Sequence, residues 1–290
     1  MSFRTVVIVN KAKLSYKNNY LIVRSNEVRQ IHLSEINTII IDSTAVTITS
    51  YLINELLSRK IKLVFCDEKR NPCGEVMPYY GSHNSTKKIM QQIEWSDEAK
   101  VNIWTNIIIE KIKNQANLLK SCEQETYKML YGYIDEIQPY DSTNREGHAA
   151  KVYFNTLFGK DFSRDDDNDI NAMLNYGYSI ILSQFNREIV AYGYLTQLGI
   201  KHKNEFNPYN LASDIMEPYR QLVDKIVYEN KDKRFDGAMK AKLINVLNHQ
   251  VNIKNSNQYV TNAISIYVKS VMTALEKNDA SLIEFYKYEL

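Results

Sequence analysis

The sequence predicts an α+β chain, with a small β-rich N-terminal domain over residues 1–80 followed by a larger all-α domain over residues 81–290. Three observations predict it. Residues 3–65 keep returning to short runs rich in β-branched residues, FRTVVIVN, YLIVRS, INTIIID and IKLVFCD. From Lys87 onward the texture changes to long segments with three- and four-residue periodicity. Between the two, NPCGEVMPYYGSHNS holds two of the five prolines and two of the nine glycines, and this shift in composition places the boundary near residue 80.

Each of the four runs reads as a strand, with KNN and RSNEVRQ as turn-like separators. Between the third and fourth, SYLINELLSRK reads as one short helix with Ser50 as N-cap and Tyr51, Leu52, Leu56 and Leu57 roughly on one face. In the second domain IWTNIIIEKIKNQANLL, EGHAAKVYFNTLF, NAMLNYGYSIILSQFNREIVAYGYLTQLG and KSVMTALEKNDASLIEFYKY read as helices, among seven or more in all. The stretch HKNEFNPYNLASDIMEPYR also reads as helical, with Leu211, Ile215 and Met216 for burial and Pro218 marking a kink or restart.

At 290 residues with 44% hydrophobic and 24% charged content, the chain is an ordinary soluble globular protein of about two domains. A net charge of +2 does not disclose a nucleic-acid partner, so any basic surface has to be local. Cys66, Cys73 and Cys122 lack metal-ligand spacing, and no secretory or stop-transfer run is visible, which points to a reduced cytoplasmic protein with no membrane association. The 21 tyrosines read as the mark of an AT-rich coding sequence rather than as base-stacking platforms.

Few positions carry chemistry. Glu146 shares a helical stripe with Ala149, Ala150 and Tyr153, and it also suits the first turn of a helix as an ordinary solvated acid. Asp214 and Glu217, three residues apart, place two carboxylates about 5–6 Å apart on one helix face. Their repulsion is roughly 3 kcal/mol at an effective dielectric of 20, unless a cation sits nearby or the pair is a solvated edge. His202 opens a loop after LGIK; alone it is a structural hydrogen-bonder, and joined by carboxylates from other helices it completes an oxygen-rich site suited to magnesium or manganese more than zinc. Spacing alone leaves these alternatives open. Asp165, Asp167 and Asp169 imitate a calcium loop, but Ile170 and Tyr176 stand where its glycine and glutamate belong, so Asn168 or Asp169 reads as a helix cap. Cys66 and Cys73 have no matching second pair for zinc, and no phosphate-cradling loop, G-x-S-x-G or dinucleotide fingerprint is present.

Taken in order, REGHAAKVYF, NAMLNYGYSIILSQFNREIVAYGYLTQLGIKH and NLASDIMEPYRQLVD resemble the CRISPR-associated integrase family of spacer acquisition, most closely its type II version. The resemblance continues through KIKNQANLL and LLSRKIKLVFCDEKRNP and so covers nearly the whole chain. It implies a β-rich domain that dimerises and an all-helical catalytic domain. It also implies that Glu146 of an E-G-x-x-A block, His202 after a G-I-x-H turn and Glu217 of a D-x-x-E-P block are the catalytic residues and the ligands of Mg2+ or Mn2+, with Asp214 supporting them from nearby.

The activity so implied is that of a DNA integrase and endonuclease working by transesterification, in which the 3′ hydroxyl of a captured duplex attacks a phosphodiester at the edge of a CRISPR repeat. The partners implied are prespacer and leader-repeat DNA, a second copy of the chain, the small second-numbered Cas protein bridging two dimers, and other type II adaptation proteins. Lys201, Arg220, Lys231, Lys233 and Arg234 are the basic residues expected to meet phosphate, although acids interleave the last three and a solvated surface accounts for them equally well. The alternatives are a hydrolytic DNA endonuclease using the same metal site with water, and a non-catalytic helical DNA-binding scaffold in which Asp214 and Glu217 are a surface edge. Intact Glu146, His202 and Glu217 argue against the scaffold.

Overall fold

A computed structural model describes residues 4–79 and 82–287, so the expected boundary at residues 80 and 81 lies outside the described residues. The first part contains β1 (Arg4–Ile8), β2 (Ala12–Lys17), β3 (Tyr20–Arg24), β4 (Val28–His32), β5 (Ile36–Ile41), β6 (Val46–Ile48), helix α1 (Ser50–Ser58), β7 (Lys62–Cys66) and β8 (Pro72–Val76). They form two four-stranded sheets, β1-β5-β7-β8 and β4-β3-β2-β6. In the first, β1, β5 and β7 run parallel and β8 is antiparallel; in the second, β2 pairs parallel with β6 and antiparallel with β3.

All six residues of β5 are buried, which is why INTIII reads as a continuous apolar run rather than an alternation. Its side chains nevertheless alternate between two cores. Ile39 and Ile41 join a core between the sheets and α1, while Ile40, with Val64 and Cys66 of β7, joins the core of the helices. The N-terminal part is thereby packed onto the helices through one sheet face. RSNEVRQ, expected as a separator, contains the start of β4, whose first three residues are exposed. Thr49 rather than Ser50 caps α1, accepting from the Leu52 N–H, and of the expected apolar face Leu52 and Leu56 are buried while Tyr51 is exposed.

The second part contains α2 (Ser85–Ile93), α3 (Asp97–Ser121), α4 (Tyr127–Asp135), α5 (Arg145–Phe158), α6 (Asp169–Ala191), α7 (Asn210–Ile215), α8 (Arg220–Tyr228), α9 (Gly237–Ile244) and α10 (Val260–Lys277). It is not wholly helical. A hairpin of β9 (Gln250–Ile253) and β10 (Ser256–Tyr259) turns through Lys254 and Asn255 at φ 53° and 56°, and Asn252 also pairs with Lys287. No helix among the described residues is long and apolar enough to cross a membrane.

Three helical readings overshoot, one of them HKNEFNPYNLASDIMEPYR, which is helical only from Asn210 because residues 202–209 form a loop containing Pro208. The segment expected as helix to residue 199 stops at Ala191, because Gly193 takes φ 89° and closes a Schellman cap in which its N–H donates to Val190 O (2.9 Å) and that of Tyr194 to Ile189 O (3.1 Å). The segment expected as helix to residue 288 stops at Lys277, and Tyr288 lies outside the described residues. Asn168, as expected, caps α6 through the Asn171 N–H.

The 25-residue α3 runs through the centre and packs against α4, α5, α8, α10 and the turn at 217–219. Ile103, Trp104, Ile107, Ile108 and Ile112 seat it in the core. The same helix also buries Glu110, Lys111, Asn114 and Gln115, and buried polar groups of this kind require partners.

Candidate active site

Lys111 finds its partners in two of the residues singled out by sequence. Its Nζ lies 2.5 Å from Glu146 Oε1 and 2.6 Å from Glu217 Oε2, joining the start of α5 to the turn between α7 and α8. Burial by itself pushes the ammonium toward losing its proton, and Glu217 and Glu146 more than offset that and hold it charged.

Glu146 is placed by the loop before α5. Tyr140, Asp141 and Asn144 there adopt φ 63°, 50° and 54°. Asp141 accepts from the backbone N–H of Arg145 (2.8 Å) and Glu146 (3.1 Å), capping the helix. The loop is clamped on both sides: the Tyr140 N–H donates to Thr105 Oγ1 of α3 (2.9 Å) and its hydroxyl to Ile200 O (3.3 Å). A Cβ at residue 147 would lie 2.7 Å from the Asn144 side-chain oxygen, so a larger residue after Glu146 would have to displace the Asn144 side chain.

Asp214 is fully buried on α7, and the backbone of 200–202 wraps around it. Its carboxylate accepts from the N–H groups of Ile200 (2.6 Å), Lys201 (2.8 Å) and His202 (3.3 Å), and it also meets His202 Nδ1. The approach is tight enough to require Gly199, where a Cβ would lie 2.7 Å from Asp214 Oδ2. The hydrogen bond to Asp214 raises the His202 pKa despite the opposing pull of burial, and the charges of Glu217 and Glu146 raise it further. Held through Nδ1 and packed edge-on against Trp104, the ring has Nε2 left to meet a ligand. His202 also borders a cleft of about 570 Å³ lined by Trp95, Lys100, Lys203 and Phe206.

Glu217 opens the 3-10 turn Glu217–Tyr219, and Pro218 makes the expected break between α7 and α8. Pro218 O accepts from Asn114 Nδ2 (3.0 Å) and from the Tyr286 hydroxyl (2.8 Å), which fixes the turn against α3 and the C-terminal segment. Burial on its own pushes the Glu217 carboxyl up, but Arg220 and Lys111 overcome it and hold the group down at about 2. Asp214 and Glu217 therefore avoid mutual repulsion by facing different partners. Both are buried, which overturns the reading of the pair as a solvated edge.

Arg220 donates from Nε to Glu217 Oε1 (2.9 Å) and lies 4.6 Å from the centre of the Tyr178 ring, so its charge is paired within the site while its side chain stays partly exposed. Lys201 is similarly engaged, its Nζ 3.7 Å from the centre of the Tyr140 ring and 3.2 Å from Tyr140 O. Lys231, Lys233 and Arg234 are exposed on the segment after α8, beyond a nine-residue helix. At about 1.5 Å per residue that helix carries them roughly 13 Å past Arg220.

Behind Arg220, Tyr153 (2.8 Å) and Tyr178 donate to the buried Asp224. Burial pushes this carboxyl from the ordinary 3.8 up to about 6, against the lowering by both hydroxyls and Arg220. A raised carboxyl stabilises the fold fully below its ordinary value and loses that contribution as pH rises to about 6. Asp224→Asn removes the loss, so urea unfolding of wild type and variant between pH 4 and 7 is expected to diverge in the variant's favour by up to about 3 kcal/mol. Parallel curves would contradict this account of Asp224.

Among the described residues no three of His, Cys, Asp and Glu are gathered as they stand into a set that could hold a metal ion. The donor chemistry nonetheless fits a hard divalent cation. Glu146 and Glu217 already bracket one positive charge, and Glu217 Oε2, buried and ion-paired with Lys111, makes no aligned hydrogen bond. The charges of both glutamates reach His202, whose ring is held by a carboxylate. Lys111, Asp141, Asn114 and Arg220 complete the arrangement. For Lys111 the available signal was a charged residue on the stripe of Ile107 and Ile108, four and three positions before it.

A family model described as "CRISPR associated protein Cas1" matches residues 5–236. The chain is 33% identical over 304 aligned residues, covering 100% of both proteins, to one named CRISPR-associated endonuclease Cas1 from Neisseria meningitidis serogroup C (strain 8013). Among solved structures, a Cas6-RT-Cas1--Cas2 complex aligns with a TM-score of 0.74 at 21% identity, covering 99% of this chain and 36% of that one. A casposase bound to integration product aligns with a TM-score of 0.75 at 18% identity, covering 96% and 92%. The solved structures share the fold, and the family model and the Neisseria relative establish that this chain belongs to the Cas1 family of CRISPR-associated proteins.

Proposed function

We propose that this chain is a divalent-metal-dependent DNA integrase of CRISPR adaptation, joining the 3′ hydroxyl ends of captured duplexes to the ends of a CRISPR repeat. The observation that carries the reading is the convergence of Glu146 and Glu217 on one positive charge, beside a histidine held by a buried aspartate. Phosphodiester chemistry accords with the relative named an endonuclease, and integration with the fold shared with a casposase. Glu146, Glu217 and His202 would hold Mg2+ or Mn2+, which when bound lowers the pKa of the attacking hydroxyl and neutralises charge on the phosphate.

The chain's own residues do the remainder. Asp214 fixes the His202 ring through Nδ1 and, by gathering three backbone N–H groups, fixes the loop that carries it. Arg220 keeps Glu217 ionised and positioned through Oε1. In the reaction the incoming 3′ oxygen bonds to the phosphorus at the 5′ edge of a repeat strand and the 3′ oxygen of the flanking DNA leaves, so one phosphodiester replaces another, the attacking hydroxyl giving up a proton and the leaving oxygen taking one up. We place the protein in the cytoplasm as a homodimer on double-stranded DNA, associating through its β-rich part. A Cas2 partner is supported by the Cas1--Cas2 complexes that share the fold.

The test is joining of a labelled 3′-hydroxyl duplex to a plasmid carrying a CRISPR repeat, with Mn2+ and Cas2, by wild type and by His202→Ala. Joined product that disappears in the variant and with a 3′-blocked duplex is the expected result. Nicking that ignores the state of the 3′ end would instead establish the hydrolytic endonuclease, and DNA binding without either product the scaffold.

A further inference from the structure

The two carboxylates read above as metal ligands already share a cation, and that cation is part of the chain. With Lys111 Nζ at 2.5 Å from Glu146 Oε1 and 2.6 Å from Glu217 Oε2, a metal ion cannot sit between these oxygens while the ammonium stays where it is. The backbone of Lys111 is fixed by Ile107, Ile108 and Ile112 in the core, but its side chain is a four-carbon stem that can carry the charge away without moving the helix. Arg220, on the other oxygen of Glu217, is a like charge that opposes Lys111 and would remain to keep Glu217 paired.

We propose that Lys111 is a resident stand-in for the divalent cation, holding Glu146 and Glu217 together in the metal-free protein and exchanging with metal when metal binds. Lys111 is then a positioning residue that sets metal affinity by competition. The inference rests on the reading of Glu146 and Glu217 as metal ligands.

The test is calorimetric titration of Mn2+ into the full-length protein without DNA, for wild type, Lys111→Met and Glu217→Gln, with thermal melts of each in and out of Mn2+. Methionine keeps the apolar stem and removes the charge. Lys111→Met is expected to bind Mn2+ about tenfold or more tighter than wild type. It is also expected to melt lower than wild type without metal and to recover in Mn2+, while Glu217→Gln loses binding. If wild type binds Mn2+ and Lys111→Met binds it equally or more weakly, the exchange is overturned and the ligand reading stands. If neither binds, the ligand reading falls and takes this inference with it. A Lys111→Met protein that stays unfolded in Mn2+ also overturns the exchange, since metal would then fail to replace the lost charge.

Discussion

Glu217→Gln is expected to abolish strand joining, lowering the rate by about 10³-fold or more, since loss of a proposed metal ligand would remove several kcal/mol of charge stabilisation at the phosphate. The same substitution has a second effect that needs no substrate. The Glu217 carboxyl is held at about 2 by Arg220 and Lys111 against the upward push of burial, compared with an ordinary value of 4.5. Over that difference the ionised group contributes about 3 kcal/mol at neutral pH. Because the group is depressed, this contribution is complete above the ordinary value and is lost as pH falls toward 2. Glutamine leaves Lys111 and Arg220 as two facing positive charges, so the variant should unfold at lower urea at pH 7, and the gap from wild type should narrow as pH falls below 4.5. A variant as stable as wild type at neutral pH would contradict the ion-pair account, whatever its activity.

Asp214→Asn is expected to reduce joining and Mn2+ affinity by about 10- to 100-fold while leaving all three proposed ligands in place. An amide oxygen can still accept one of the bonds that Asp214 makes to Ile200, Lys201 and His202, but its NH2 opposes the other donors and the charge that orients His202 Nδ1 is gone. Losing charge-assisted hydrogen bonds at a fully buried position should also cost about 1.5–3 kcal/mol of stability. The activity profile separates orientation from mere folding. Asp214 raises the His202 pKa, and the imidazole must be neutral to ligate, so removing that charge should move the acidic limb of the pH–rate curve to lower pH. An unmoved limb with an equally reduced rate would mean that Asp214 acts only through stability.

Much of the site was legible because its motifs are short and local. E-G-x-x-A, G-I-x-H and D-x-x-E-P each combine a functional side chain with a glycine or proline, and Gly147 faces the Asn144 side chain, Gly199 stands at a close backbone approach and Pro218 at a helix break. Lys111 was not legible in the same way. In IIIEKIKNQANLL it sits beside Glu110 and Lys113, so the segment reads as an amphipathic helix with a charged edge, and only the fold brings Glu146 and Glu217 to it from 35 and 106 residues away. Arg220, expected at DNA, also pairs with Glu217, the buried glutamate three residues before it, a contact that the spacing alone did not disclose. In the β-rich part, β5 and β7 were legible as buried apolar runs, whereas β4, with exposed Val28, Arg29 and Gln30, lacked one. The overshoot of α6 has a similar cause: apolar residues continue at helical spacing past Ala191, and a single glycine in the left-handed region ends the helix.

The central claim is that Glu146, Glu217 and His202 meet at one cation. Pulsed electron paramagnetic resonance of Mn2+ bound to the full-length protein tests it directly, through the nitrogen coupling of a ligating imidazole. The account predicts that coupling in wild type, its loss with retained but weaker Mn2+ binding in His202→Ala, and loss of the bound Mn2+ itself in Glu217→Gln. A nitrogen coupling that persists in His202→Ala, or bound Mn2+ indifferent to Glu217, would place the metal elsewhere and contradict the account.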